Sequence, residues 1–120
     1  MSGKPLIYIM GPYSKGGQAR NVRRAIEAAE VVCSLGGVPF IPHLCHFWDL
    51  LYPRTYEFWL DYDITWLERC HAAYRIPGES EGADREEKRC NELKIPVFRT
   101  TPALMKFLDD WRSSRGYYSA

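Results

Sequence analysis

Two carboxylates in this sequence have a spacing that suits chemistry. The first is Glu86. A helical reading of residues 83–93 at about 100° per residue makes Ala83, Cys90 and Leu93 its inward stripe. Glu86 falls near the middle of that stripe, and Glu87 lies well off it. An acid in a first helical turn is held charged by the helix dipole. Turned inward beside a strand end, it suits a nucleophile or a stabiliser of developing positive charge. An exposed first-turn acid, which the dipole also favours, is the competing reading. The second is Asp63, four residues after Trp59 and three before Trp66. An acid sharing a helix face with two indoles has a raised pKa and suits a general acid. The competing reading is a helix surface with Asp61 and Asp63 both in water.

Other residues offer binding rather than bond-breaking. Gly11-Pro12-Tyr13-Ser14-Lys15-Gly16-Gly17 lies between an apolar run and a helix, so its backbone N–H groups suit an anion. Ser14, Lys15 and Arg20 add hydroxyl and charge. The loop fits neither G-x-G-x-x-G nor G-x-x-x-x-G-K-[ST], which disfavours a dinucleotide site and a P-loop NTPase. On spacing alone, an ordinary strand-to-helix turn with solvated basic residues is the favoured reading. His43-x-Cys45-His46 and Cys70-His71 carry soft ligands, but three of them within four residues crowd a tetrahedral zinc site, so no metal is expected. Phe47, Trp48, Trp59 and Trp66 offer a stacking wall for a nucleobase, or simply core.

The elements that must position these groups follow from pattern. The chain has 120 residues, 46% hydrophobic, and suits one domain over residues 1–120. Sixteen Lys and Arg against 15 Asp and Glu leave a net charge of +1, which argues against binding a nucleic-acid polymer by bulk electrostatics. The longest apolar run, Leu6 to Met10, is too short for a membrane. With no leader-like opening and no C-x-x-C pair, a cytoplasmic protein with free thiols is expected. Leu6 to Met10 reads as a strand buried on both faces. A helix is expected over 19–35, with Val22, Ala25, Ile26, Ala29, Val32 and Cys33 inward. A strand over 38–41, a long loop over 43–56, a helix over 57–69 and a strand over 71–76 follow. Then come a loop over 77–82, the helix over 83–93, a strand over 95–98 and a last helix capped by Thr101 with Pro102 at its first position. The alternation predicts a doubly wound α/β domain, flavodoxin-like or Rossmann-like, with a four- or five-stranded parallel sheet. Ligands of such sheets bind beyond the carboxyl ends of the strands, where the three loops converge.

Taken in order, these pieces resemble a known family. They are Tyr8-Ile9-Met10-Gly11-Pro12-Tyr13-Ser14, Asn21, Pro39-Phe40-Ile41-Pro42-His43, Trp59-x-x-x-Asp63-x-x-x-Leu67-x-x-Cys70, Pro77-Gly78-x-Ser80-x-Gly82-Ala83-x-x-Glu86 and Ile95-Pro96-Val97-Phe98. The pattern is similar to the nucleoside 2-deoxyribosyltransferase-like superfamily, in its small branch with a Gly-Pro-Tyr-Ser loop. Ser-x-Gly-x-x-x-Glu is its most specific piece. The resemblance implies that Glu86 attacks the anomeric carbon of a nucleoside or nucleotide. Asp63 would assist the leaving base, and Tyr13 would lie near the sugar or the nucleophile. It further implies a substrate site drawing on Gly11, Ser14, Lys15, Gly16, Gly17, His43, Trp59, Ser80 and Gly82. Ser14-Lys15-Gly16-Gly17 and Ser80 also resemble the phosphate contacts of the deoxynucleoside-monophosphate N-glycosidases.

The expected activity is therefore cleavage of an N-glycosidic bond, with the sugar passed to another base or to water, without metal or organic cofactor. A non-catalytic nucleotide-binding or signalling module of the same fold is the alternative. The resemblance implies a homo-oligomer, for which Tyr117 and Tyr118 offer a contact. One position departs from the pattern: His71 stands where transferases commonly have Asp, which predicts a modified site.

Overall fold

The strands alternate because both faces of the sheet are covered. A computed structural model describes residues 3–115. Strand β1 (Leu6–Met10) sends Ile7 and Ile9 into one apolar cluster, and Tyr8 and Met10 into the other. All four are fully buried. That period of two is why a continuous apolar run, rather than an alternating one, marks the central strand.

β1 pairs in parallel with β2 (Val38–Phe40) on one side and β3 (Ala72–Arg75) on the other, and β3 pairs in parallel with β4 (Val97–Phe98). The order β2-β1-β3-β4 is that of a flavodoxin-like sheet. Helices α1 (Gln18–Ser34) and α5 (Thr101–Ser114) cover one face through Ala25, Ala29, Val32, Leu104 and Leu108. Helices α3 (Tyr56–Leu67) and α4 (Glu81–Leu93) cover the other through Leu67, Ala83 and Cys90. The predicted doubly wound fold is the observed one, with four strands among the described residues. None of the described helices is long and apolar enough to cross a membrane.

Several local expectations are corrected. Residues 43–56 are not a plain loop: a 3₁₀ turn over Pro42–Cys45 runs into a short helix, α2 (His46–Leu51). Pro42 starts that turn with its fixed φ, a signal the aromatic composition obscured. Thr100, not Thr101, caps α5, its hydroxyl accepting from Ala103 N, so Pro102 is the second helical residue. In α1 the buried stripe includes Asn21, while Ile26 and Cys33 are exposed. Leu93 is 40% exposed, so the inward face of α4 is Ala83, Glu86 and Cys90. The Tyr117-Tyr118 pair lies outside the described residues.

Candidate active site

The carboxyl ends of β1 and β3 open onto a cavity of about 430 Å³, large enough for a small organic ligand. It lies where the chain winds in opposite directions from β1, the position at which such sheets bind ligands. The three loops expected there all contribute.

The first loop supplies Gly11, Tyr13, Ser14 and Lys15 to the wall. Buried Asn21 fixes it, donating through Nδ2 to the carbonyls of Tyr13 (2.9 Å) and Lys15 (2.6 Å). Gly16 and Gly17 do not line the cavity. Both have positive φ (87° and 102°), which makes the turn into α1. From the second loop His43 reaches the wall, 96% buried by its 4% residual exposure. Its Nε2 donates to the Pro12 carbonyl at 3.0 Å, which ties the first loop to the second and leaves Nδ1 without a partner. Burial lowers its pKa against the carbonyls of Pro12 and Gly11, so the ring is neutral. Tyr13 hydrogen-bonds His46 Nδ1 through its hydroxyl at 2.6 Å.

α3 presents Tyr56, Trp59, Leu60 and Asp63 along one face, a spacing of one helical stripe. Thr55 caps its start by accepting from Phe58 N. Trp59 is held edge-on between Trp48, Phe58 and Tyr62, and its indole N–H donates to Asp49 at 2.5 Å. The other aromatic candidates are elsewhere. Phe47 and Trp48 are 66% and 41% exposed, off the cavity. Trp66 stacks on Phe40, which stacks on Tyr8.

Ser80 caps α4, its hydroxyl oxygen accepting from Ala83 N at 3.1 Å. Gly82 packs closely on α3: a Cβ there would lie 3.3 Å from the Tyr56 hydroxyl, which would have to shift by a few tenths of an ångström. Because α4 begins at Glu81, Glu86 sits on its second turn, beyond the reach expected of the helix dipole. Contrary to expectation, the helix dipole does not hold this carboxylate charged. Glu86 is 6% exposed, and burial pushes its carboxyl up to about 7, against the Tyr8 hydroxyl and the charge of Arg75, which pull it down. The Tyr8 hydroxyl donates to Glu86 Oε2. Asp63 is pushed up to about 8, first by burial and second by the charge of Glu86, and its Oδ1 has no partner.

These two acids titrate as a pair. Glu86 is the less raised of the two, so as pH rises it ionises first beside a still protonated Asp63, a pairing that suits a nucleophile and an acid in one site. Cys45 lines the same cavity, but burial and the charge of Asp63 push its thiol up to about 11, so it stays protonated.

Tyr8 and Arg75 escaped the sequence reading. A tyrosine in a strand buried on both faces looks like core, and its hydroxyl's need for a partner was the available signal. His71 lies at the opposite end of the sheet, its Nδ1 accepting from Leu6 N at 2.9 Å. The position that departs from the resembled pattern is thus remote from the cavity, and the expected modification of the site by His71 is corrected.

A solved structure with the same fold is a 2-deoxyribosyltransferase from the psychrotolerant bacterium Bacillus psychrosaccharolyticus, described as a biocatalyst for nucleoside synthesis. It superposes with a TM-score of 0.50 at 19% identity, over 77% of this chain and 69% of that one. At that identity the likeness establishes the fold. No curated protein sequence matches the chain. Residues 5–100 match the DUF7768 family, described as a domain of unknown function, and the chain belongs to that family.

Proposed function

We propose that this protein cleaves the N-glycosidic bond of a nucleoside or its 5′-monophosphate and passes the sugar to another base or to water. One observation carries the reading: a buried Glu86 carboxylate at the carboxyl end of the sheet, held by Tyr8 and beside the raised carboxyl of Asp63. As the C1′–N bond lengthens, positive charge develops on the sugar in an oxocarbenium-like transition state. Ionised Glu86 stabilises that charge and closes on C1′ as a glycosyl ester. Asp63 gives its proton to the departing base. In the second half a base or water attacks C1′, Asp63 recovers a proton from it, and Glu86 leaves as the carboxylate.

Trp59 supports this reading as a rigid ring for stacking the base. Lys15 and Ser80 are the proposed phosphate contacts. Lys15 stands 3.7 Å from Glu79 and would exchange that exposed partner for a 5′-phosphate. A homo-oligomer is part of the proposal: Leu50 and Leu51 of α2, 62% and 77% exposed beside the cavity, give a second copy an apolar contact.

The test is chromatographic detection of free base from a panel of nucleosides and monophosphates, with and without a second base. Base release by the native protein, lost in Glu86→Gln, is the expected result. Exchange between bases identifies a transferase, and release in water alone a hydrolase. Binding of these compounds without any base release would leave a nucleotide-binding module and overturn the proposal.

A further inference from the structure

Arg75 ends β3, yet its side chain is only 10% exposed. Its neighbours Ala72, Ala73 and Ile76 are buried and apolar. An apolar residue at such a position packs without the cost of taking a charge out of water, so packing does not explain an arginine. Its bonds are specific. Nη1 lies 2.9 Å from Asp84 Oδ1 and 3.3 Å from Glu87 Oε1, and Nη2 donates to the Gly78 carbonyl at 3.3 Å. Neutralisation alone does not require it: Glu87 already receives Arg99 at 2.6 Å, and Asp84 is 70% exposed.

Asp84 and Glu87 lie two residues before and one after Glu86; three apart, they share a side of α4 turned away from Glu86. The grip on both, together with Gly78, joins the strand end, the third loop and the first turns of α4. Rotation of α4 about its axis would carry Glu86 away from the Tyr8 hydroxyl, and the Arg75 fork opposes that rotation. We propose that Arg75 is a positioning residue for Glu86, fixing the rotation of α4 and placing a cation behind the carboxylate. This rests on reading Glu86 as the nucleophile.

The groups that face Glu86 make the cation count. From β1 comes the Tyr8 hydroxyl, which stays protonated because burial raises it. From α3 comes Asp63, protonated near neutrality. From α4 itself comes Cys90, whose thiol is pushed up to about 12 by burial and then by Glu86. Glu87, one residue on, carries negative charge that Arg75 and Arg99 share. Arg75 supplies the positive charge that favours ionised Glu86.

The experiment follows the Glu86 carboxyl by carbon-13 NMR across pH, assigned by its absence in Glu86→Gln, alongside the pH profile of base release. In Arg75→Met the Glu86 midpoint should rise by about one pH unit, and the acid limb of the rate profile should rise with it. The loss should be greatest on the acid side and shrink as pH rises toward the limb set by Asp63. Arg99→Met, which leaves the contacts of Arg75 in place, should move neither. A folded Arg75→Met with an unmoved Glu86 midpoint, or with activity lost equally at every pH, overturns the proposal. If Arg75→Met does not fold, Arg75→Lys keeps the charge and loses the fork. It should hold the midpoint and lower kcat at unchanged KM, and native kcat there overturns the clamp. If the native protein releases no base, the functional reading fails, while the NMR midpoint still decides the role of Arg75.

Discussion

The two ends of the sheet are built on opposite principles. At the amino end, His71 accepts from Leu6 N at 2.9 Å and packs against Trp111 at 4.6 Å. Trp111 in turn donates to the Gly3 carbonyl at 2.8 Å. These polar groups are matched, and the contacts pin the start of β1 to α5. At the carboxyl end, Glu86 is buried with its carboxyl raised, Asp63 is raised further, and Asp63 Oδ1 and His43 Nδ1 lack partners. Buried polar groups in folded proteins are nearly always satisfied, so exceptions gathered in one cavity call for an explanation beyond folding. The same short strands thus carry a satisfied end that stabilises and an unsatisfied end that costs stability. Local rules are broken in this way at functional sites.

The sharpest way to break the comparison is Glu86→Gln. On the proposed function it lowers base release by at least about a thousandfold, because a nucleophile has no substitute. It should also stabilise the fold, which a purely structural acid would not do. The folded state holds the Glu86 proton more tightly than the unfolded chain does. That contribution is full below about pH 4.5 and is lost as pH rises to about 7. The native protein at about pH 9 therefore bears a penalty on the order of 3 kcal/mol that glutamine lacks. Urea unfolding at about pH 5 and pH 9 measures this. A variant less stable than native at the higher pH would show that the carboxylate belongs to the stabilising end.

Asp63→Asn comes next. Loss of a general acid lowers base release by roughly a hundredfold to ten-thousandfold. The loss should shrink for a nucleoside whose base is methylated to a cation, since that base departs without a proton. The native rate should fall above about pH 8, where Asp63 loses its proton, and this limb should vanish in Asn. Equal losses for both substrates would remove Asp63 from the proton-transfer step.

How far the comparison was legible in the sequence depends on what fixes each group. The element order follows from Leu6 to Met10, from the glycine breaks and from the capped helix starts, all local signals. The inward turn of Glu86 is local too, because Ala83 and Cys90 on the same helix define the face. Tyr8, Arg75 and the carboxyl shifts are not local. They depend on which strand lies beside which helix, and parallel pairing brings together residues 78 apart, as in Tyr8 and Glu86. Aromatic type likewise carried no direction: of Phe47, Trp48, Trp59 and Trp66, Trp59 alone reaches the cavity. The start of α4 is less legible: Ser80 caps it two residues before the apolar stripe opens at Ala83, which puts Glu86 on the second turn and out of the dipole's reach.

The smallest effect belongs to the satisfied end. Burial, and then the charge of Arg115, lower the His71 pKa, and its Nδ1 can accept from Leu6 only while unprotonated. The unfolded chain therefore takes up a proton that the folded one resists. This contribution is fully present above the ordinary histidine pKa of about 6.5 and is lost as pH falls below it. It runs opposite to the Glu86 contribution, which grows as pH falls. His71 is exposed, so the effect amounts to one ordinary hydrogen bond, about 1 kcal/mol or less. His71→Asn, compared with native by urea unfolding at about pH 7.5 and pH 5, should lose stability at the higher pH and little at the lower. Its base release at neutral pH should match native, because His71 stands at the other end of the strand from the cavity. A His71 variant that keeps native stability but loses base release would mean that the two ends are coupled through β3, and the division drawn between them would fall.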